Sequence, residues 1–149
     1  MTNRIWILSA LMVGIMLLPL VSGCNRADTT PKRRIVIVTK ALDSEFWQTL
    51  KSGAEEAARQ HPDVELSVLA PEREINIDQQ VSIIEDQILK NVSGLAVVPG
   101  GIAEVSPVLD KAKAAGIPVL IVDNDTPWPG KLCYIGTDNR LGGKLAGDY

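Results

Sequence analysis

Asp123, Asn124 and Asp125 stand in a row directly after the apolar run 119–122, and Thr137, Asp138 and Asn139 follow a second run at 132–135. Carboxylates accept hydrogen bonds, carboxamides both donate and accept, and a hydroxyl does either. Such a set can read the neighbouring hydroxyls of a small polar molecule, most strongly where one partner is charged. Thr39 and Lys40, with Ser44 close behind, follow the run 35–38; Pro71 and Glu72 follow 64–69, and Pro99 and Gly100 follow 95–98. Phe46 and Trp47 are adjacent and aromatic. One ring can serve a ligand while the other serves the core, or both can be core, where large apolar residues usually go.

Other chemistries lack their residues. No G-x-x-x-x-G-K-S/T loop occurs, and the segment 39–45 has none of the glycines a dinucleotide site requires after its first strand. No G-x-S-x-G elbow is present. The single histidine, His61 beside Pro62, reads as a surface helix end, so no histidine-based metal cluster of usual spacing can be assembled. Asp123, Asn124, Asp125 and Thr126 approach the aspartyl phosphatase signature, but the threonine is one place early and the motif follows the fourth strand instead of the first. Asn91, Val92 and Ser93 form a sequon without further support. The net charge of −3 has no basic stripe to neutralise phosphates, which argues against nucleic acid as a partner. The expectation is a binding protein, without catalytic residues, metal or cofactor.

The elements that must hold these residues are legible from two periods. Short β-branched runs at 35–38, 64–69, 95–98, 119–122 and 132–135 read as strands, the first covered on both faces. Between them lie helical stripes. Asp43 or Ser44 can cap a helix from Glu45, with Phe46, Leu50, Ala54 and Ala57 or Ala58 on one face. Ile77, Val81, Ile84 and Ile88 form a second stripe ending near Lys90, and Val105, Val108, Leu109 and Ala112 form a third, closed by Gly116. A last helix begins at Leu141, with Asp138 or Asn139 as its cap. This alternation predicts an α/β fold, a doubly wound parallel sheet with right-handed crossovers and strand order 2-1-3-4-5. In such a sheet ligands bind outside the carboxyl ends of the strands, which is where the polar clusters fall. Trp128, between Pro127 and Pro129, can be a lid or a cover for the sheet edge. Cys133 lies in the fifth run, where a cysteine is expected to behave as a small buried hydrophobe.

The start of the chain has different character. Arg4, the apolar run 5–20 and the small residues up to Cys24 have the three zones of an export signal. Residues 20–24 (LVSGC) resemble the lipobox of bacterial lipoproteins, in which the cysteine is acylated and becomes the N-terminus. That divides the chain into a signal peptide at 1–23, the lipidated Cys24 and a tether at 24–34, and one domain at 35–149. The competing reading is an uncleaved anchor helix, since a membrane span needs roughly 20 apolar residues. Either way the folded part lies outside the cytoplasm, in the periplasm or at the cell surface. The basic cluster Lys32, Arg33 and Arg34 reads as solvated linker.

Four stretches, residues 35–47 (IVIVTKALDSEFW), 94–99 (GLAVVP), 115–123 (AGIPVLIVD) and 134–149 (YIGTDNRLGGKLAGDY), resemble the N-terminal lobe of the type I periplasmic binding proteins, in the ribose, allose and galactose branch. The resemblance implies a substrate-binding component of an ABC importer, with a sugar as ligand, a permease as partner and the membrane as anchor through Cys24. It places ligand contacts on Thr39, Ser44, Phe46, Trp47, Asp123, Asn124 and Thr137, with Asp138 and Asn139 adjoining. The same fold in a sensory protein that feeds a chemoreceptor or histidine kinase is the alternative.

Three departures from that pattern matter. Ribose binders similar to this chain have an arginine at the place of Asn124 and an asparagine at the place of Val98, so ribose itself is doubtful. Lys40 can point to an anionic or modified sugar, or be a solvated lysine. The resemblance also implies two lobes that close on the ligand, and the sequence ends inside a helix of the first, so half of the cleft is expected to be missing.

Overall fold

The computed structural model describes residues 31–149. The expected signal peptide, the expected acylation site Cys24 and the expected tether up to residue 30 lie outside the described residues. Strand β1 (Arg33–Val38) is followed by helix α1 (Glu45–Arg59), β2 (Val64–Leu69), α2 (Ile77–Leu89), β3 (Gly94–Val97), α3 (Ile102–Ala114), β4 (Val119–Val122), β5 (Tyr134–Ile135) and α4 (Asn139–Asp148). The five strands form one sheet in the order β2-β1-β3-β4-β5, every neighbouring pair parallel. This is the expected order.

Alternation along the strands divides the apolar residues between two clusters. Val36, Val38, Leu95, Val97, Val119 and Ile121 pack with Ile84 of α2 and with Val105, Val108, Leu109 and Ala112 of α3. The alternate positions Val98 and Val122 pack with Ala41 and with Trp47 and Leu50 of α1. Successive side chains of a strand point to opposite faces, so continuous apolar runs are what a sheet covered on both sides requires. All four residues of the α3 stripe are buried, and Gly116, at φ +75°, takes the left-handed conformation that ends the segment.

Four local expectations are corrected. Strand β1 starts at Arg33, not at Ile35: Arg33 pairs with Asp63 and the Arg34 guanidinium donates to the carbonyl of Lys90, so two residues read as linker belong to the sheet. On α1 the buried residue is Trp47, while Phe46 is exposed and meets Trp47 edge-on with ring centroids 4.8 Å apart. The fifth strand covers only Tyr134 and Ile135; Leu132 is 69% exposed and the Cys133 thiol is free and exposed, on the approach to a strand at the edge of the sheet. Ser44 occupies the cap position of α1, but its side chain makes no capping bond. The expected cap of α4 is present, with Asp138 Oδ1 accepting from the Leu141 N–H at 2.9 Å. Unlike α1, α2 and α3, α4 buries none of its residues.

Candidate functional site

A cleft of about 560 Å³ opens at the carboxyl ends of β3 and β4. Pro99, Gly100 and Ile102 form one side, and Asp123, Asn124 and Asp125 the other, with Tyr134 and Asn139 completing the wall. Its size falls within the roughly 300–1,000 Å³ of small-molecule sites.

The wall turns on Asp123. Its φ of +62° lies in the left-handed region, which aspartate tolerates better than most residues but still at a cost. The N–H of Asn124 donates to the carbonyl of Val122 at 2.8 Å, closing a three-residue turn about Asp123. Neighbours hold the turn in place. The Asp123 N–H donates to the Ile135 carbonyl at 2.9 Å, and the Tyr134 hydroxyl donates to the Asp123 carbonyl at 2.7 Å. Backbone held off its preferred conformation costs about 1–3 kcal/mol and persists only where the surroundings fix it, typically at functional sites.

Side chains extend the arrangement. With the Asn124 amide oriented so that each of its atoms meets a complement, its nitrogen donates to Asp123 Oδ2 at 3.1 Å and its oxygen accepts from Lys40 Nζ. Lys40 is therefore a partner of Asn124, not simply a solvated lysine. On the far side Lys131 pairs with Asp125 and also donates to the carbonyl of Thr126. The hydrogen bond from Lys131 to Asp125, with that of the Thr126 N–H and the lysine's charge, holds the Asp125 carboxyl below the usual carboxylate range, so it is ionised at neutral pH.

Beneath the cleft, Gln80 of α2 joins the ends of β1 and β3. Its side chain is 1% exposed; Nε2 donates to the carbonyls of Thr39 at 3.0 Å and Val98 at 2.9 Å, and Oε1 accepts from the Gly100 N–H at 2.9 Å. Strand order reverses between these two strands, so Gln80 fixes the point where such sheets open a crevice.

Of the ten expected contacts, Asp123, Asn124 and Asn139 line the cleft, and Lys40 is joined to it through Asn124. Thr39 is fully buried, its hydroxyl donating to the Ala41 carbonyl at 2.8 Å, and Trp47 is 5% exposed with Nε1 donating to Glu74 at 2.7 Å. Both are enclosed within the domain and serve its packing. Ser44, Phe46, Thr137 and Asp138 are exposed but outside the cleft lining, and Asp138 is engaged as the α4 cap. Pro99, Gly100 and Asp125 were legible as rim residues; Ile102, Tyr134 and Gln80 were not. Trp128 is neither lid nor edge cover. It packs in the core, Nε1 donating to Asp110 at 2.7 Å.

Residues 35–149 match the family described as periplasmic binding protein domain, and the chain belongs to that family. The D-ribose/D-allose-binding protein of Pseudomonas aeruginosa is 34% identical over 130 residues, which cover 83% of this chain and 41% of that protein. The ribose import binding protein RbsB of Escherichia coli K12 is 27% identical over 128 residues, covering 86% of this chain and 42% of that protein. A crystal structure of an ABC transporter periplasmic solute-binding protein from Actinobacillus succinogenes with bound D-allose has a TM-score of 0.69 at 34% identity, over 76% of this chain and 42% of that one. The chain thus spans about two fifths of the length of the curated relatives it matches.

Proposed function

We propose that this chain captures a sugar outside the cytoplasmic membrane as the solute-binding component of an ABC importer, and that the cleft at Asp123 is its half of the binding site. The observation that carries the reading is the fixed turn at Asp123, which sets a carboxylate at the carboxyl end of β4 in a member of this family. A carboxylate flanked by the amides of Asn124 and Asn139 offers both acceptors and donors to vicinal hydroxyls. Ribose is disfavoured, because the arginine expected of ribose binders is replaced by Asn124 and Val98, where they carry an asparagine, is fully buried; D-allose is the first sugar to test, since the solute-binding protein crystallised with it is 34% identical to this chain.

A second wall would come from the part of the relatives' length that this chain does not span. Closure of two walls buries the ligand, and the ligand stabilises the closed form only by its differential affinity for it. Delivery to a permease and anchoring through an acylated Cys24 complete the proposal. Each buried CH₂ of a lipid contributes about 0.8 kcal/mol to membrane attachment. The relatives described above are sugar-binding and import proteins, so the sensory alternative is not favoured.

The test is the intact mass of protein extracted from membranes, with a calorimetric sugar panel on the same material. A diacylglyceryl increment on Cys24 together with saturable sugar binding is expected. An unmodified Cys24 removes the anchor, and turnover of glycosides by the purified protein overturns the assignment as a binding protein.

A further inference from the structure

We infer that the cleft sorts its ligands by charge: it takes a sugar carrying an ammonium group in preference to the neutral parent and rejects the corresponding uronate. The inference rests on the reading that this cleft binds sugars, and goes beyond it by naming the substrate class.

The charged groups that line the cleft are Asp123 and Asp125, both acidic, and no lysine or arginine lines it. Two lysines come close, and each is committed elsewhere. Lys131 pairs with Asp125 and the Thr126 carbonyl. Lys40 donates to the oxygen of Asn124 and pairs with no carboxylate among the described residues. Asn124 thus stands between Lys40 and Asp123 as a neutral spacer: its nitrogen occupies Asp123 Oδ2, and Asp123 Oδ1 has no hydrogen-bond partner among the described residues. A ligand entering the cleft meets the carboxylate directly and the ammonium of Lys40 only one side chain further back.

Coulomb energy falls with distance, so the group at contact decides the preference. An ammonium on the ligand can form a charge-assisted hydrogen bond to Asp123, stronger than the neutral hydroxyl bond it replaces. A ligand carboxylate would be set against Asp123, the lining carboxylate that no lysine or arginine pairs among the described residues, the charge of Asp125 being offset by Lys131. The clamp of Tyr134 and Ile135 on the Asp123 backbone fixes the direction in which its side chain leaves the turn, and the Asn124 amide holds Oδ2.

The experiment titrates the full-length protein calorimetrically with three-member sets built on D-glucose, D-galactose and D-allose: the neutral sugar, its 2-amino-2-deoxy derivative and its uronate. In the set that binds, the amino sugar is expected to bind about fivefold tighter than the neutral sugar, and the uronate at least about fivefold weaker. Asp123→Asn, which keeps a residue tolerant of the left-handed turn, should erase the amino-sugar advantage while melting within a few degrees of wild type. Lys40→Met should widen the advantage, since it removes the distant cation. Neutral sugar equal to or tighter than amino sugar, or a uronate that binds as well as either, overturns charge sorting and leaves the sugar-binding reading standing. Binding by no member of any set overturns the sugar-binding reading, and this inference with it.

Discussion

Replacing Gln80 with leucine tests how the cleft is held open, because the side chain is enclosed and every consequence of its loss is countable. The variant leaves the carbonyls of Thr39 and Val98, both residues fully buried, without the amide that bonds them, and strands the N–H of half-buried Gly100. Each buried polar group left unpaired costs about 1–3 kcal/mol. Leucine returns about 1 kcal/mol through its more apolar side chain. A net loss of about 2–8 kcal/mol is expected, a large part of the roughly 5–15 kcal/mol that stabilises a typical domain. Urea unfolding followed by tryptophan fluorescence measures it, with Trp47 and Trp128, both buried, reporting on opposite faces of the sheet. Gln80→Glu sets an oxygen against two carbonyl oxygens and is expected to be less stable at pH 8 than at pH 5, where the carboxyl can hold a proton and donate it. A loss under about 1 kcal/mol for Gln80→Leu refutes the reasoning, since it would mean that the two strand ends do not depend on this side chain.

The remaining predictions concern other parts of the domain. Cys133 should react with a thiol reagent in the native protein as fast as in urea, because its side chain is exposed; protection in the native state would return it to the core. Asp125, whose carboxyl the Lys131 hydrogen bond holds below its ordinary value of 3.8, binds a proton less readily folded than unfolded. Its contribution is present above pH 3.8 and lost as pH falls through the depressed value, and carbon NMR should find the carboxyl back near its ordinary value in Lys131→Met. Leu109→Ala, at a residue 1% exposed, should cost about 2–5 kcal/mol in the same urea assay. Gly116→Ala should cost about 1 kcal/mol from the left-handed backbone alone, as open space surrounds a methyl there.

Periodicity made α2, α3 and four of the strands legible, because their apolar side chains keep one period. It failed where two readings share a period. Phe46 and Trp47 are neighbours at a helix start, and the partners of the inward one, Ala41, Val98 and Glu74, lie in other segments of the chain. The run 132–135 is apolar throughout, yet Leu132 and Cys133 are exposed; the β4 register pairs Ile121 with Tyr134, so the strand begins only there. Arg33 and Arg34 looked like linker because their partners, Asp63 and Lys90, come from other loops.

The site was legible as a rim and not as a mechanism. Polar residues after each strand marked the rim on which the cleft opens, but spacing cannot show which of them the fold needs for itself. Thr39 and Asp138 went to backbone duties of that kind. Gln80 carried a signal that was passed over: it lies three residues after Ile77 and four before Ile84, on the apolar stripe of α2, where a carboxamide must find buried partners. Tyr134 carried none, since its value lies in a hydroxyl reaching across the sheet to Asp123.

Calorimetric titration of the full-length protein and of Asp123→Ala with D-allose and a panel of aldoses tests the central claim most directly. Saturable binding of at least one sugar, weakened tenfold or more by the substitution while cooperative melting is kept, is the predicted result; roughly a tenfold change corresponds to one lost charge-assisted bond. Sugar binding that survives the loss of Asp123 undiminished, or no binding across the panel, would contradict the assignment of this cleft.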